Sequence, residues 1–345
     1  MDIFTPYSKN GLDLKNRIVM SAMTRNFADK DHSPTDDMRA YYERRAANDV
    51  GLILTEGTII HPSGDGYPNV PHIYTEKQIE EWKKVTNAVH TAGGKIFCQL
   101  WHCGRISHPT YLNGELPVAP SAVQAEGNAP GLQEPFPTPR ALLQEEVPDI
   151  IDMFRTATKN ALRAGFDGVE IHGGHGYLID EFFDTRINKR TDAYGADSME
   201  NRSRFGLEVV RAVLDVAGPE RTMLRISPSR DMGGLYEWPN LEGMISYLIP
   251  QLNTIGLRML DISCARSNYH ETSGKIVRMV RPLWPHTILA GASLSLEDAH
   301  KELENGLVDL VTYGRFILAN PDFVHKIKNG DPLVPFDNSM RSTLY

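Results

Sequence analysis

Residues 168–174 read "GVEIHGG": a short run with apolar Val169 and Ile171 that ends in a histidine and two glycines. Before it lies "VPDIIDMFRTATKNALRAG" (147–165), a helical pattern closing on Gly165, and after it "NRSRFGLEVVRAVLDVAG" (201–218), closing on Gly218. Glycine just past a periodic apolar segment supplies the left-handed residue that ends a helix. A β-like run between two such helices is one unit of a strand–helix alternation, and the rest of the chain repeats it.

Toward the N-terminus, "RIVMSAM" (17–23) precedes the helical pattern 35–48, "VGLILTEGT" (50–58) precedes 76–93, and "KIFCQLWH" (95–102) leads after a long loop to 147–165. Toward the C-terminus, "TMLRISP" (222–228) precedes 240–256, "MLDISC" (259–264) precedes 274–285, "TILAGA" (287–292) precedes 296–307, and "LVTYGR" (310–315) precedes 320–330. The runs are apolar on both faces, as parallel strands covered by helices must be. Eight units without a break predict an α/β fold, the (β/α)8 or TIM barrel, in one domain over 1–345 with the barrel at about 17–330. A doubly wound sheet would place a phosphate-binding glycine fingerprint after its first strand, where this chain has "VMSAMTRNFA". Segment 103–146, rich in Pro, Gly and Ala, reads as an excursion over the barrel mouth.

Composition excludes several classes of function. With 345 residues, 41% hydrophobic and 23% charged, the chain has the make-up of a soluble globular protein. Its net charge of −8 carries no basic block, which argues against nucleic-acid or acidic-membrane partners. Cys98, Cys103 and Cys264 form neither a disulfide framework nor a metal-cluster spacing. The first residues show no apolar signal segment and no run spans a bilayer, so a cytoplasmic protein is expected.

In such barrels chemistry sits at the C-terminal ends of the strands. Those ends carry Met23, Thr24 and Arg25; Glu56 and Gly57; Gln99, Trp101 and His102; His172, His175 and Tyr177; Arg225; Gly291 and Ala292; and Gly314 and Arg315. The paired Gly291-Ala292 and Gly314-Arg315 close strands 7 and 8, where exposed backbone N–H groups and a guanidinium suit a phosphate; each alone is also an ordinary turn. Arg225, inside an apolar strand, needs an anionic partner, either a ligand or a neighbouring carboxylate. His172 and His175 could be a satisfied pair, donors to a substrate oxygen, or metal ligands with Glu170 or Asp180 as a third.

Together the motifs "DLKNRIVMSAMTR", "LTEGT", "QLWHCGRISHP", "GVEIHGGHGYLIDEFFDTRINKRTDAYGADSMENRSRF", "LRISP" and "AGASLSLEDAHKELENGLVDLVTYGRFILANPDF" resemble the Old Yellow Enzyme family of flavin-dependent ene-reductases across residues 2–330. The resemblance implies bound FMN, NADH or NADPH as reductant, and a small activated alkene as oxidant: an unsaturated aldehyde or ketone, quinone, maleimide or nitro compound. It places Ala22, Met23, Gly57, His172 and Ala292 against the cofactor. Thr24 would bond flavin O4, Gln99 the pyrimidine ring, and Gly291, Gly314 and Arg315 the phosphate. Arg225 would face N1 and O2, gaining its anionic partner only when the flavin is reduced. His172 and His175 would hold the substrate oxygen, Tyr177 would protonate the α-carbon, and Trp101 would shape the pocket. No metal is implied, and the protein would be a monomer or homodimer. Three departures stand out: Ala22 in place of proline, "SPSRD" (227–231) in place of a Gly-containing turn, and an end at "MRSTLY" where relatives carry a Gly- and Tyr-rich tail. Two other readings remain at this level, a non-catalytic flavin-binding barrel and a metal-dependent hydrolase using His172 and His175.

Overall fold

The computed structural model describes residues 2–231, 234–264 and 267–345. Eight parallel strands close on themselves: β1 (Ile18–Met20), β2 (Leu52–Ile59), β3 (Ile96–Trp101), β4 (Gly168–His172), β5 (Thr222–Arg225), β6 (Met259–Ser263), β7 (Thr287–Gly291) and β8 (Leu310–Tyr313). Each pairs with the next in sequence and β8 pairs with β1, the order that right-handed strand–helix–strand crossovers generate. Every residue of these strands is buried, because the helices cover the outer face and side chains fill the inside.

The outer ring consists of α1 (Asp36–Ala47), α2 (Glu76–Thr91), α3 (Val147–Arg163), then a short α4 (Leu178–Phe183) before α5 (Met199–Ala217), followed by α6 (Leu241–Thr254), α7 (Ser273–Val280), α8 (Leu296–Glu304), α9 (Arg315–Ala319) and α10 (Phe323–Asn329). Side-chain caps start several of them, among them Thr75, whose hydroxyl accepts from Gln78 N while the Gln78 side chain reaches back to Thr75 N. The glycines that close the helical patterns, Gly93, Gly165, Gly218 and Gly256, all have φ between +74 and +98.

Some boundaries differ from the sequence expectation. Strand 1 was expected over 17–23, but the ladder ends at Met20; Ser21 donates one more bond to Tyr313 O (3.1 Å) and the chain then leaves the sheet. The seventh helix stops at Val280 and tightens into a 3₁₀ turn at Arg281–Leu283, since Pro282 has no N–H to continue it.

Two hairpins were not foreseen. Tyr7–Lys9 pairs with Leu12–Leu14 beneath the barrel, where Tyr7 Oη and Asn10 Nδ2 bond Thr287 Oγ1 at the start of β7 (2.7 and 2.8 Å). Tyr7, Leu12 and Leu14 join Val19, Leu52, Leu54, Phe97, Met223, Met259, Leu289 and Leu310 in one apolar cluster that stoppers the N-terminal end of the barrel. At the opposite end, Ser229–Asp231 pairs with Leu235–Glu237 after β5. Within the excursion 103–146, Val118–Ala119 pairs with Arg140–Ala141, and Ala125, Ala129 and Phe136 form a small core of their own. Among the described residues no helix is long and apolar enough to cross a membrane.

Candidate active site

β4 ends at His172, and the next five residues make the turn that builds the site. Gly173 N donates to Arg225 O (2.8 Å), His175 takes φ +59 and Gly176 φ +83. His175 N donates to Ser227 Oγ (2.6 Å) and Gly176 N to Asp180 Oδ2 (2.7 Å). Asp180 is itself held by Arg230 Nη1 (2.8 Å) and Trp238 Nε1 (2.6 Å). A left-handed non-glycine costs free energy, and these bonds over-determine it. The chain then enters α4 with Tyr177 at its N-cap.

This turn brings the expected residues together. Ring centroids lie 5.4 Å apart for His172–His175, 5.0 Å for His172–Tyr177, 4.8 Å for Trp101–Tyr177 and 6.0 Å for Trp101–His172. His172 Nδ1 and His175 Nε2 are buried and have no hydrogen-bond partner among the described residues. Burial, reinforced chiefly by the nearby Arg225 charge, holds both imidazoles well below their ordinary pKa, so they are neutral and each carries one N–H. Burial and the neighbouring Tyr67 push the Tyr177 phenol well above its ordinary value, so it keeps its proton at neutral pH.

Tyr67 was not anticipated. The loop after β2 carries it to within 2.6 Å of Tyr177 Oη, with its ring 4.9 Å from that of Trp101. Asp65 sets that loop by accepting from Gly66 N and Tyr67 N (2.7 and 3.3 Å). A contact between residues 110 apart in sequence leaves no local signature. Gly57 is where it is because of packing: a Cβ there would lie 2.3 Å from the Trp101 ring. Gly57→Ala is therefore expected to displace Trp101 and destabilise the fold by about 1–3 kcal/mol, read from denaturant unfolding followed by tryptophan fluorescence.

Beyond β1, Ala22 and Met23 are half-buried and Thr24 is exposed. Their loop is anchored by Glu56, whose Oε2 accepts from Arg25 N and Asn26 N (2.9 and 3.3 Å). Across the mouth, Gly291 and Ala292 are buried, and a Cβ on Gly291 would lie 2.3 Å from Thr312 O, so strand packing alone demands that glycine. Gly314 caps α9 against Met23, and the exposed Arg315 donates to Ser293 Oγ (2.8 Å), leaving the rest of its guanidinium fork facing solvent.

The barrel centre corrects one expectation. Arg225 already has an anionic neighbour: its Nε is 3.7 Å from Asp261 Oδ2, and its Nη2 donates to Ser263 O (3.3 Å). Gln99 Nε2 donates to Glu170 Oε2 (2.6 Å). Glu170 and Asp180, considered as third metal ligands, are thus engaged elsewhere. Among the described residues the donors that converge closely enough for a metal are His32, Asp65 and His72, not His172 and His175.

A flavin mononucleotide fits these residues. Arg225 Nε and His172 Nδ1 are buried without a hydrogen bond, Thr24 stands open to the mouth, and Arg315 offers an unneutralised guanidinium to a phosphate. Comparison with known proteins points the same way. The model of the NADH:flavin oxidoreductase / NADH oxidase family matches residues 2–333. The chain belongs to this family. A putative 12-oxophytodienoate reductase 2 of Oryza sativa subsp. japonica is 38% identical over 99% of this chain and 90% of its own. The structure of an old yellow enzyme homologue from Zymomonas mobilis superposes with TM-score 0.92 at 34% identity, covering 99% of this chain and 97% of that one. Morphinone reductase in complex with tetrahydroNAD superposes with TM-score 0.89 at 36% identity, covering 99% and 94%. The Old Yellow Enzyme resemblance thus holds along the whole chain, which is an FMN-dependent, nicotinamide-reduced ene-reductase of that family. The metal-hydrolase reading falls with it.

Proposed function

We propose that this protein reduces the C=C bond of small alkenes activated by a carbonyl or nitro group, among them enals, enones, quinones, maleimides and nitroalkenes, by a ping-pong reaction with NADH or NADPH. The observation that carries the reading is the pair of unpartnered imidazole nitrogens beside the Tyr177 hydroxyl in one small volume. Flavin binding alone does not require Tyr177, which speaks against a non-catalytic barrel. We assign Thr24, Gln99, Arg225 and the Ala22–Met23 and Gly57 backbone to the flavin ring, and Gly291, Ala292, Gly314 and Arg315 to its phosphate. FMN, when bound, supplies hydride-transfer chemistry.

The protein's own residues do the rest. Neutral His172 and His175, in tautomers that put the proton on the unpartnered nitrogens, donate to the substrate oxygen and stabilise the negative charge that gathers there. Tyr177 gives its proton to the α-carbon. Tyr67 stands within reach to donate to the phenolate that this leaves. Trp101 walls the pocket and, with the excursion 103–146, keeps water out. The chain works as one domain over 1–345 in the cytoplasm, as monomer or homodimer; a net charge of −8 without a basic block supports the lack of nucleic-acid or acidic-membrane partners.

The test is anaerobic titration of the yellow protein with NADH and NADPH, then reoxidation with a panel of alkenes. Failure of every alkene to reoxidise it would overturn the reading. Arg315→Ala should lose charge-assisted phosphate bonds of about 1.5–3 kcal/mol and release FMN on dilution, visible as free flavin after gel filtration.

A further inference from the structure

Glu170 and Asp261 are both fully buried inside the barrel, Glu170 in register with Gln99 and Asp261 with Arg225, two of the residues assigned to the flavin ring. Each carboxyl keeps one buried oxygen without a hydrogen-bond donor among the described residues, Glu170 Oε1 and Asp261 Oδ2, and the Asp261 charge acts directly on Glu170. Gln99 on β3 donates to Glu170 Oε2, Arg225 on β5 lies 3.7 Å from Asp261, and Ser263 Oγ donates to Asp261 Oδ1. The remaining group on Glu170's own face of β4 is His172, which is neutral. Two carboxyls and one arginine therefore share a buried core. Two adjacent ionised carboxylates there would repel strongly, and a single proton between them removes the conflict.

We propose that Glu170 keeps a proton and donates it to an ionised Asp261, so that Arg225 faces one carboxylate rather than two, and that this proton sets the redox potential of the bound flavin. Glu170 acts here as a positioning and tuning residue through Asp261 and Arg225. With Glu170 neutral the three groups sum to zero, and Arg225 can meet negative charge arriving above it. With Glu170 ionised the cluster carries a net negative charge and opposes that arrival. Burial and the Asp261 charge, the two largest influences, both raise the Glu170 pKa.

The second arm of the test rests on FMN occupying the site, and the first does not. In the protein stripped of flavin, the infrared difference between wild type and Glu170→Gln should contain the C=O stretch of a protonated carboxyl at neutral pH, separate from those of other raised carboxyls, Glu56 and Glu181 among them, and lost on alkaline titration. In the FMN-loaded protein, the midpoint potential should fall more steeply with rising pH in wild type than in Glu170→Gln, once Glu170 begins to ionise and reduction draws a proton back. Asp261→Asn, which leaves Arg225 unopposed, should raise the potential. Absence of that band from the wild-type minus Glu170→Gln difference would overturn the proposal whatever the potentials do. Parallel potential–pH lines for wild type and Glu170→Gln would overturn its redox half. A protein that binds no flavin would count against the proposed function and leave the infrared result to decide the proton.

Discussion

Tyr177→Phe lowers the rate of cyclohexenone reduction by about 10²–10⁴-fold, the usual worth of a positioned general acid, while reduction of the flavin by the nicotinamide keeps its wild-type rate. The substitution keeps the ring that packs 4.8 Å from Trp101 and removes only the hydroxyl. Phenol binding should survive, since His172 and His175 still donate. Nitroalkenes should suffer less, because a nitronate is stable enough to leave before its carbon is protonated. The pH profile tests the same assignment. With the phenol held well above its ordinary value, the acid stays protonated across about pH 6–9, so the enone rate should be flat there. Stopped-flow reoxidation decides it: wild-type enone rates in Tyr177→Phe would make water or Tyr67 the acid.

His172→Ala and His175→Ala should each slow alkene reduction by about 10²–10³-fold, the measured cost of removing one donor from a charge-stabilising pocket. Each should also weaken a phenolate ligand by about 1.5–3 kcal/mol, the loss of a hydrogen bond to a charged group. Because both imidazoles are neutral, they donate without titrating, and neither effect should depend on pH through the neutral range. Equal losses in Tyr177→Phe and the histidine variants, for phenolate binding as well as turnover, would mean that the three act only as a packed unit.

Much of this site was legible before any coordinates, and the reason is geometric. A parallel barrel puts every strand's C-terminal end on one rim, so a list of strand-end residues is already a list of neighbours. Trp101, His172, His175 and Tyr177, whose rings the structure brings together, were legible in that way. Residues that act from loops were not. Tyr67 reaches Tyr177 through a turn organised by Asp65, and no periodicity reports where such a loop lands. Ser227 was flagged only as an odd residue in "SPSRD", yet its hydroxyl fixes His175. The Arg225 environment was half-read: the strand pattern showed a buried cation in need of a partner, but Asp261 lies one strand away, in a pairing that only the barrel's register supplies. The three-residue strands of the N-terminal hairpin are too short to stand out against turn residues.

That hairpin has a kinetic corollary. With Tyr7, Leu12 and Leu14 wedged into one end and side chains filling the barrel, the site opens at one rim only. Spent nicotinamide cannot exit by a back door as the alkene arrives. Both must use the same rim, and a closed far end favours the alternation of donor and acceptor that a ping-pong reaction requires.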